Sequence, residues 1–213
     1  MTRSPDSLDI PSMFPSPAAE AVLGSTTDTE CARGTILIAF REATNDLWGA
    51  EGVRAIGERL PQVVREETLD VSAVIPLWVP ESYVLAWYEA LWHGPCEARR
   101  NSFDTFLGRM LDCGFGRVRK AFLAFAKPAT ILNKAPALWR HDHTHGTLCL
   151  ESLEATSARV RLTDHPYAST SLSCIATAEI YRYCASLCRA KNVSELHYRD
   201  SAGALIVRLR WSL

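Results

Sequence analysis

The strongest constraint on this chain is a change of hydrophobic period at Gly146. Before it, apolar residues recur every three or four positions. In "GTILIAFREATNDLW" these are Ile36, Phe40, Ala43 and Leu47, and in "AEGVRAIGERLP" they are Val53, Ile56 and Leu60. After Gly146 they alternate, as in "SARVRL", where Ala158, Val160 and Leu162 share one face and Arg159 and Arg161 the other. A 3.6-residue period buries one side of a helix, and a two-residue period buries one side of a strand. The chain must therefore fold as a helical half followed by a sheet.

The punctuation refines this picture. Gly49 breaks the first helical stretch and Pro61 ends the second. Pro80, Glu81 and Ser82 open a helix whose apolar face is Val84, Trp87 and Leu91. Gly94-Pro95 stops it. Residues 97–112 form the next helix, with Phe103, Phe106, Leu107, Met110 and Leu111 inward, and "CGFG" is expected to break it before Val118, Phe122 and Phe125. Pro128 opens a last helix through Ile131, Leu132, Ala135 and Leu138–Trp139, which Pro136 should bend or end. Strands follow in "TLCLESL" and "SARVRL", then a helix over roughly 171–190, then a hairpin whose buried face is Leu205, Val207, Leu209 and Trp211. This order predicts an α+β architecture, the helical half packed on a C-terminal antiparallel sheet with one long helix.

Composition excludes several functions. The 213 residues suit one domain over 31–213, preceded by a proline-, serine- and threonine-bearing leader over 1–30, read as flexible. Lys plus Arg number 23 against 24 Asp plus Glu, so nothing attracts nucleic acid or an anionic membrane at long range. No apolar run approaches the roughly 18 residues of a membrane span, and the first twenty residues hold no apolar run of the length a signal peptide needs. The seven cysteines have no C-x-x-C spacing, which reads as a cytoplasmic protein with reduced thiols. Cys184 and Cys188 share one helix face four residues apart; they read as small apolar packing groups, with metal or lipid binding by the pair as the alternative. "GFG" at 114–116 follows no strand and precedes no phosphate-loop lysine. No Ser–His–Asp or Cys–His set can be placed, so the expectation is a protein that is not an enzyme.

Two groups of residues remain as candidate sites. "LWRHDHTHG" puts His141, His143 and His145 on alternate positions. On a strand they would converge as a zinc-like site with Asp142 orienting one ring; in a loop they would form a solvated polar turn. No H-E-x-x-H spacing accompanies them. The second group is aromatic: Trp87, Phe122, Phe125 and Trp139 read either as a plain core or as the wall of an apolar ligand pocket. Tyr167, Ser169 and Ser171 would stand at its mouth, or the serines would cap the following helix.

The element order, with "GTILIAFREATNDLWGAEGVRAIGERL", "WVPESYVLAWYEALW" and "YASTSLSCIATAEIYRYCASL" as anchors, resembles the haem–nitric-oxide-binding (H-NOX) fold over about residues 33–213. It also resembles the related 4-vinyl-reductase-like and TRAPP-like ligand-binding domains, and a paralogous family of soluble bacterial proteins of similar length. In the haem-binding members a histidine on the helix before the sheet ligates iron, and a Tyr-x-Ser-x-Arg motif grips the propionates. Here the motif reads Tyr167-Ala168-Ser169-Thr170-Ser171, and the ligand position falls at Leu138–Trp139. Serine cannot make arginine's bidentate contact to a carboxylate, and tryptophan cannot ligate iron. The resemblance therefore implies a non-catalytic sensory or signalling domain with no cofactor, binding a small apolar ligand. The alternatives are a haem or zinc sensor using His141, His143 or His145, with a two-residue loop shift bringing His141 to the iron, and an adaptor acting as a homodimer or through a protein partner.

Overall fold

The computed structural model describes residues 30–69 and 75–213, leaving aside the side chains of 115–122. The leader expected over 1–30 lies outside the described residues apart from its last position. The chain forms two compact units, one ending at Gly114 and the other spanning Phe115–Leu213.

The first unit is built around aromatic rings. A short strand β1 (Cys31–Arg33) pairs antiparallel with β2 (Trp78–Pro80), setting Ala32 opposite Val79. Helix α1 (Thr35–Gly57) is interrupted at Gly49, whose φ of 61° and ψ of −158° belong to a region that side chains exclude. Helices α2 (Gln62–Leu69), α3 (Glu81–His93) and α4 (Arg100–Phe125) follow. Phe40 meets Trp87 edge-on at 5.6 Å and Phe106 at 5.5 Å, while Phe103 meets Tyr88 at 5.9 Å and Trp92 at 5.6 Å. Edge-to-face contacts of this kind add to the area these rings bury. The Trp87 indole N–H donates to Thr68 Oγ1 at 3.1 Å, which satisfies the one polar atom of a fully buried ring.

"CGFG" does not break α4. The helix runs through it to Phe125, and the boundary between the units falls inside it. A helical glycine costs only about 1 kcal/mol, and the buried Phe103, Phe106, Leu107 and Met110 anchor the preceding turns.

The second unit begins with the end of α4 and continues with α5 (Pro128–Asp142). Pro128 occupies the first turn, where no backbone donor is needed. Pro136 does not end this helix, which continues to Asp142. The proline forfeits one backbone hydrogen bond, and burial of Leu132, Ala135 and Trp139 holds the turns on either side.

The sheet comprises β3 (Thr147–Leu153), β4 (Ser157–Thr163), β5 (Lys191–Arg199) and β6 (Leu205–Ser212), in the order β3-β4-β6-β5 and antiparallel throughout. Val160 stands opposite Val207 and Ala158 opposite Leu209, so the predicted apolar face is continuous across the central strands. Helix α6 (Ser171–Ser186) lies between β4 and the closing hairpin in sequence. Its cap is Thr170, not a neighbouring serine: Thr170 is extended, and its Oγ1 accepts from the Ser173 N–H at 3.0 Å. The hairpin turn is closed by Asp200, whose Oδ1 accepts from the Ala202 and Ala204 N–H groups.

Candidate functional site

The histidine run sits where α5 hands over to β3 in the second unit. The last turn of α5 carries Trp139 inward, and the helix stops at Asp142. His143 is already extended, with φ −135° and ψ 142°. The chain then turns through Gly146, whose φ is +73°. A Cβ on Gly146 would lie 2.8 Å from Cδ2 and 2.9 Å from Cβ of His165, so glycine is required twice, by conformation and by space. His165 arrives from the other side, after β4, and a single 3-10 turn (Pro166–Ala168) places Tyr167 beside it.

These elements assemble five rings. His143 stacks on Trp139 with centroids 3.9 Å apart and planes 18° from parallel. His145 stacks on His165 at 4.3 Å and 13°. The two stacks meet edge-on, with His143 at 5.2 Å and Trp139 at 4.7 Å from His165. Tyr167 meets His165 at 4.4 Å and His143 at 5.7 Å. Hydrogen bonds lock the stacks. The Trp139 indole N–H donates to the His145 carbonyl at 3.2 Å, and the Tyr167 N–H donates to His165 Nδ1 at 3.1 Å. Because His165 Nδ1 accepts, the neutral ring carries its proton on Nε2. His145 differs: both its ring nitrogens are buried and have no hydrogen-bond partner among the described residues. A buried polar atom left unsatisfied costs about 1–3 kcal/mol. His145 thus has hydrogen-bonding or ligating capacity to spare among the described residues.

Four of the expected site residues come together here: Trp139, His143, His145 and Tyr167. The remaining expectations distribute elsewhere. His141 is exposed on the last helical turn, its Nδ1 bonded to Asp142 Oδ1 at 2.7 Å, so the three histidines have three different sets of neighbours. Ser169 and Ser171 are exposed; Ser169 Oγ donates to the Pro166 carbonyl, while its own carbonyl accepts from Arg199 at 3.0 Å. Phe125 is 72% exposed beneath the Arg189 guanidinium, so it lines no interior wall of the second unit. Trp87 is a core ring of the first unit, and the Phe122 side chain lies outside the described residues.

His165 is the residue that sequence reasoning missed. "DHPY" reads as a polar loop after a strand, and only the register of β3 with β4, which sets Thr147 opposite Thr163, brings it beside Gly146. Burial pushes Cys174 and Cys188 up to about 11 and Cys184 up to about 12, holding them as neutral thiols that suit packing.

Comparison with solved structures places the architecture. An unliganded Fe(II) H-NOX protein from K. algicida matches with TM-score 0.60 at 11% identity, covering 85% of this chain and 97% of that one. An H-NOX protein from S. oneidensis matches with TM-score 0.61 at 10% identity, covering 85% and 96%. The fold is that of the H-NOX domains. An oxygen-binding H-NOX domain related to soluble guanylate cyclases also matches, with TM-score 0.56 at 10% identity over 85% of this chain and 95% of that one. No protein-family model and no curated protein sequence matches the chain.

The H-NOX likeness raises haem as a cofactor, and the residues of the second unit can be tested against it. At Leu138–Trp139, where the sequence resemblance would put an iron ligand, Leu138 is exposed, and the Trp139 indole N–H is committed to a carbonyl while its face is covered by His143. Neither offers a lone pair to a metal. At the position of the clamping arginine, Ser171 is an exposed hydroxyl in the first turn of α6. Leu138, Trp139 and Ser171 therefore do not themselves supply the histidine and arginine that the resemblance expects of a haem site.

Proposed function

We propose that this chain is a non-catalytic sensory domain on the H-NOX fold that works without haem and responds to a small, mostly apolar molecule. The observation that carries this reading is the Trp139–His143 stack. It fills the place where an iron ligand would stand with two rings 3.9 Å apart and leaves the indole without a free polar atom. The ring cluster would supply the apolar contact by opening around a ligand, and His145 the polar atoms that would fix its orientation. Fold likeness does not by itself assign function, so the proposal rests on this cluster.

The test is titration of the purified protein with haem, followed by absorption. The expected result is no Soret band beyond that of free haem for the wild type. A stoichiometric Soret band that disappears in His141→Ala or His143→Ala would sink the proposal.

A second reading, a zinc-type metal site, is favoured by one observation: a ligating nitrogen of His145 lies within 4.8 Å of one of His165, and the His145 ring nitrogens have no hydrogen-bond partner among the described residues. The Tyr167 N–H weighs against it by occupying the His165 Nδ1 lone pair. Elemental analysis of the purified protein separates the two readings, since the first expects no stoichiometric metal.

A further inference from the structure

The outward face of the second unit's sheet carries an arrangement that the ring cluster does not use. Its two central strands present four arginines on one side: Arg159 and Arg161 from β4, Arg208 and Arg210 from β6. Arg159 stands directly opposite Arg208, a like-charge cross-strand pair of the kind that destabilises a sheet. Among the described residues, two carboxylates pair with two of these four cations. Glu151 meets Arg159 at 2.7 Å and Arg161 at 3.4 Å, and Asp200 meets Arg161 at 2.7 Å. Arg208 and Arg210 are exposed and pair with no carboxylate among the described residues. Arg208 instead lies over the Tyr198 ring at 5.3 Å and donates to its hydroxyl at 3.1 Å. In the same cross-strand row, opposite Arg208, Leu196 is 60% exposed. An exposed leucine beside two unpaired guanidinium groups on a rigid sheet is an anchor with a charged rim.

We propose that this face docks a carboxylate-rich segment of a partner protein, which pairs with Arg208 and Arg210 and sets an aliphatic side chain against Leu196. Charge complementarity selects the occupant. Guanidinium groups match carboxylates bidentately, and the excess of cations over Glu151 and Asp200 is local to this face of a chain whose net charge is −1. A single-stranded nucleic acid would want exposed aromatic platforms, and the one ring here is covered by Arg208. A lipid surface would want several exposed apolar side chains, and the outer face of β5 offers Leu196.

The experiment uses the full chain and a short fluorescent peptide that alternates glutamate and leucine, read by anisotropy. The peptide should bind, more weakly as salt rises. Arg208→Glu with Arg210→Glu should weaken binding by roughly tenfold or more, and Leu196→Ser by severalfold, while Arg140→Glu, an exposed arginine on α5, leaves it unchanged. All these side chains are exposed, so circular dichroism should not move. No binding, or equal binding by the variants, overturns the proposal. So does preferential capture, through the same arginines, of a single-stranded oligonucleotide or of phosphatidylserine vesicles.

Discussion

At the scale of single residues, the site depends on one glycine more than on any histidine. Gly146 combines a left-handed backbone with an approach to His165 that leaves no room for a methyl group. Gly146→Ala should therefore cost about 1–3 kcal/mol, and it should displace the His165 ring from its stack on His145. Urea unfolding reads the first effect, and imidazole proton shifts in NMR read the second. An unchanged His165 resonance in a fully folded variant would contradict the packing described for the turn. The sequence made Trp139, His143, His145 and Tyr167 visible as candidates because aromatic and imidazole side chains are rare and conspicuous. It could not reveal His165, whose place depends on strand pairing between segments some twenty residues apart. Nor could it distribute the histidines among partners, since the helix ends at Asp142 and breaks their alternate spacing.

At the scale of elements, the periods were readable and the interruptions were not. The alternation in "SARVRL" and "ALIVRLRW" became β4 and β6 with the expected faces, because burial on one side of a sheet imposes a two-residue period directly. Glycine and proline misled in both helices where tertiary packing outweighs a local cost of about 1–3 kcal/mol, namely α4 at "CGFG" and α5 at Pro136. The short strands β1 and β2 left no signal, since three residues carry no period. The same argument yields a test on α5. Pro136→Ala restores a backbone donor in the middle of a helix and should stabilise the protein by roughly 1–3 kcal/mol, seen as a higher Tm. A lower Tm would mean that the half-buried proline ring contributes more to packing than the missing hydrogen bond costs.

At the scale of the whole molecule, the element order from α1 to β6 carried the H-NOX-like expectation, and the solved H-NOX structures match the chain over 85% of its length at about one residue in ten identical. A fold held at that identity is held by the pattern of burial and not by the chemistry of any site. In this chain that pattern is the aromatic core of the first unit and the apolar face of the second unit's sheet. The proposed function requires that this fold operates here without haem. Native mass spectrometry of the full chain, purified from haem-supplemented cells, tests it most directly. The expected spectrum shows the mass of the protein with no haem and no iron, alone or with a small organic adduct. A stoichiometric haem adduct would contradict it.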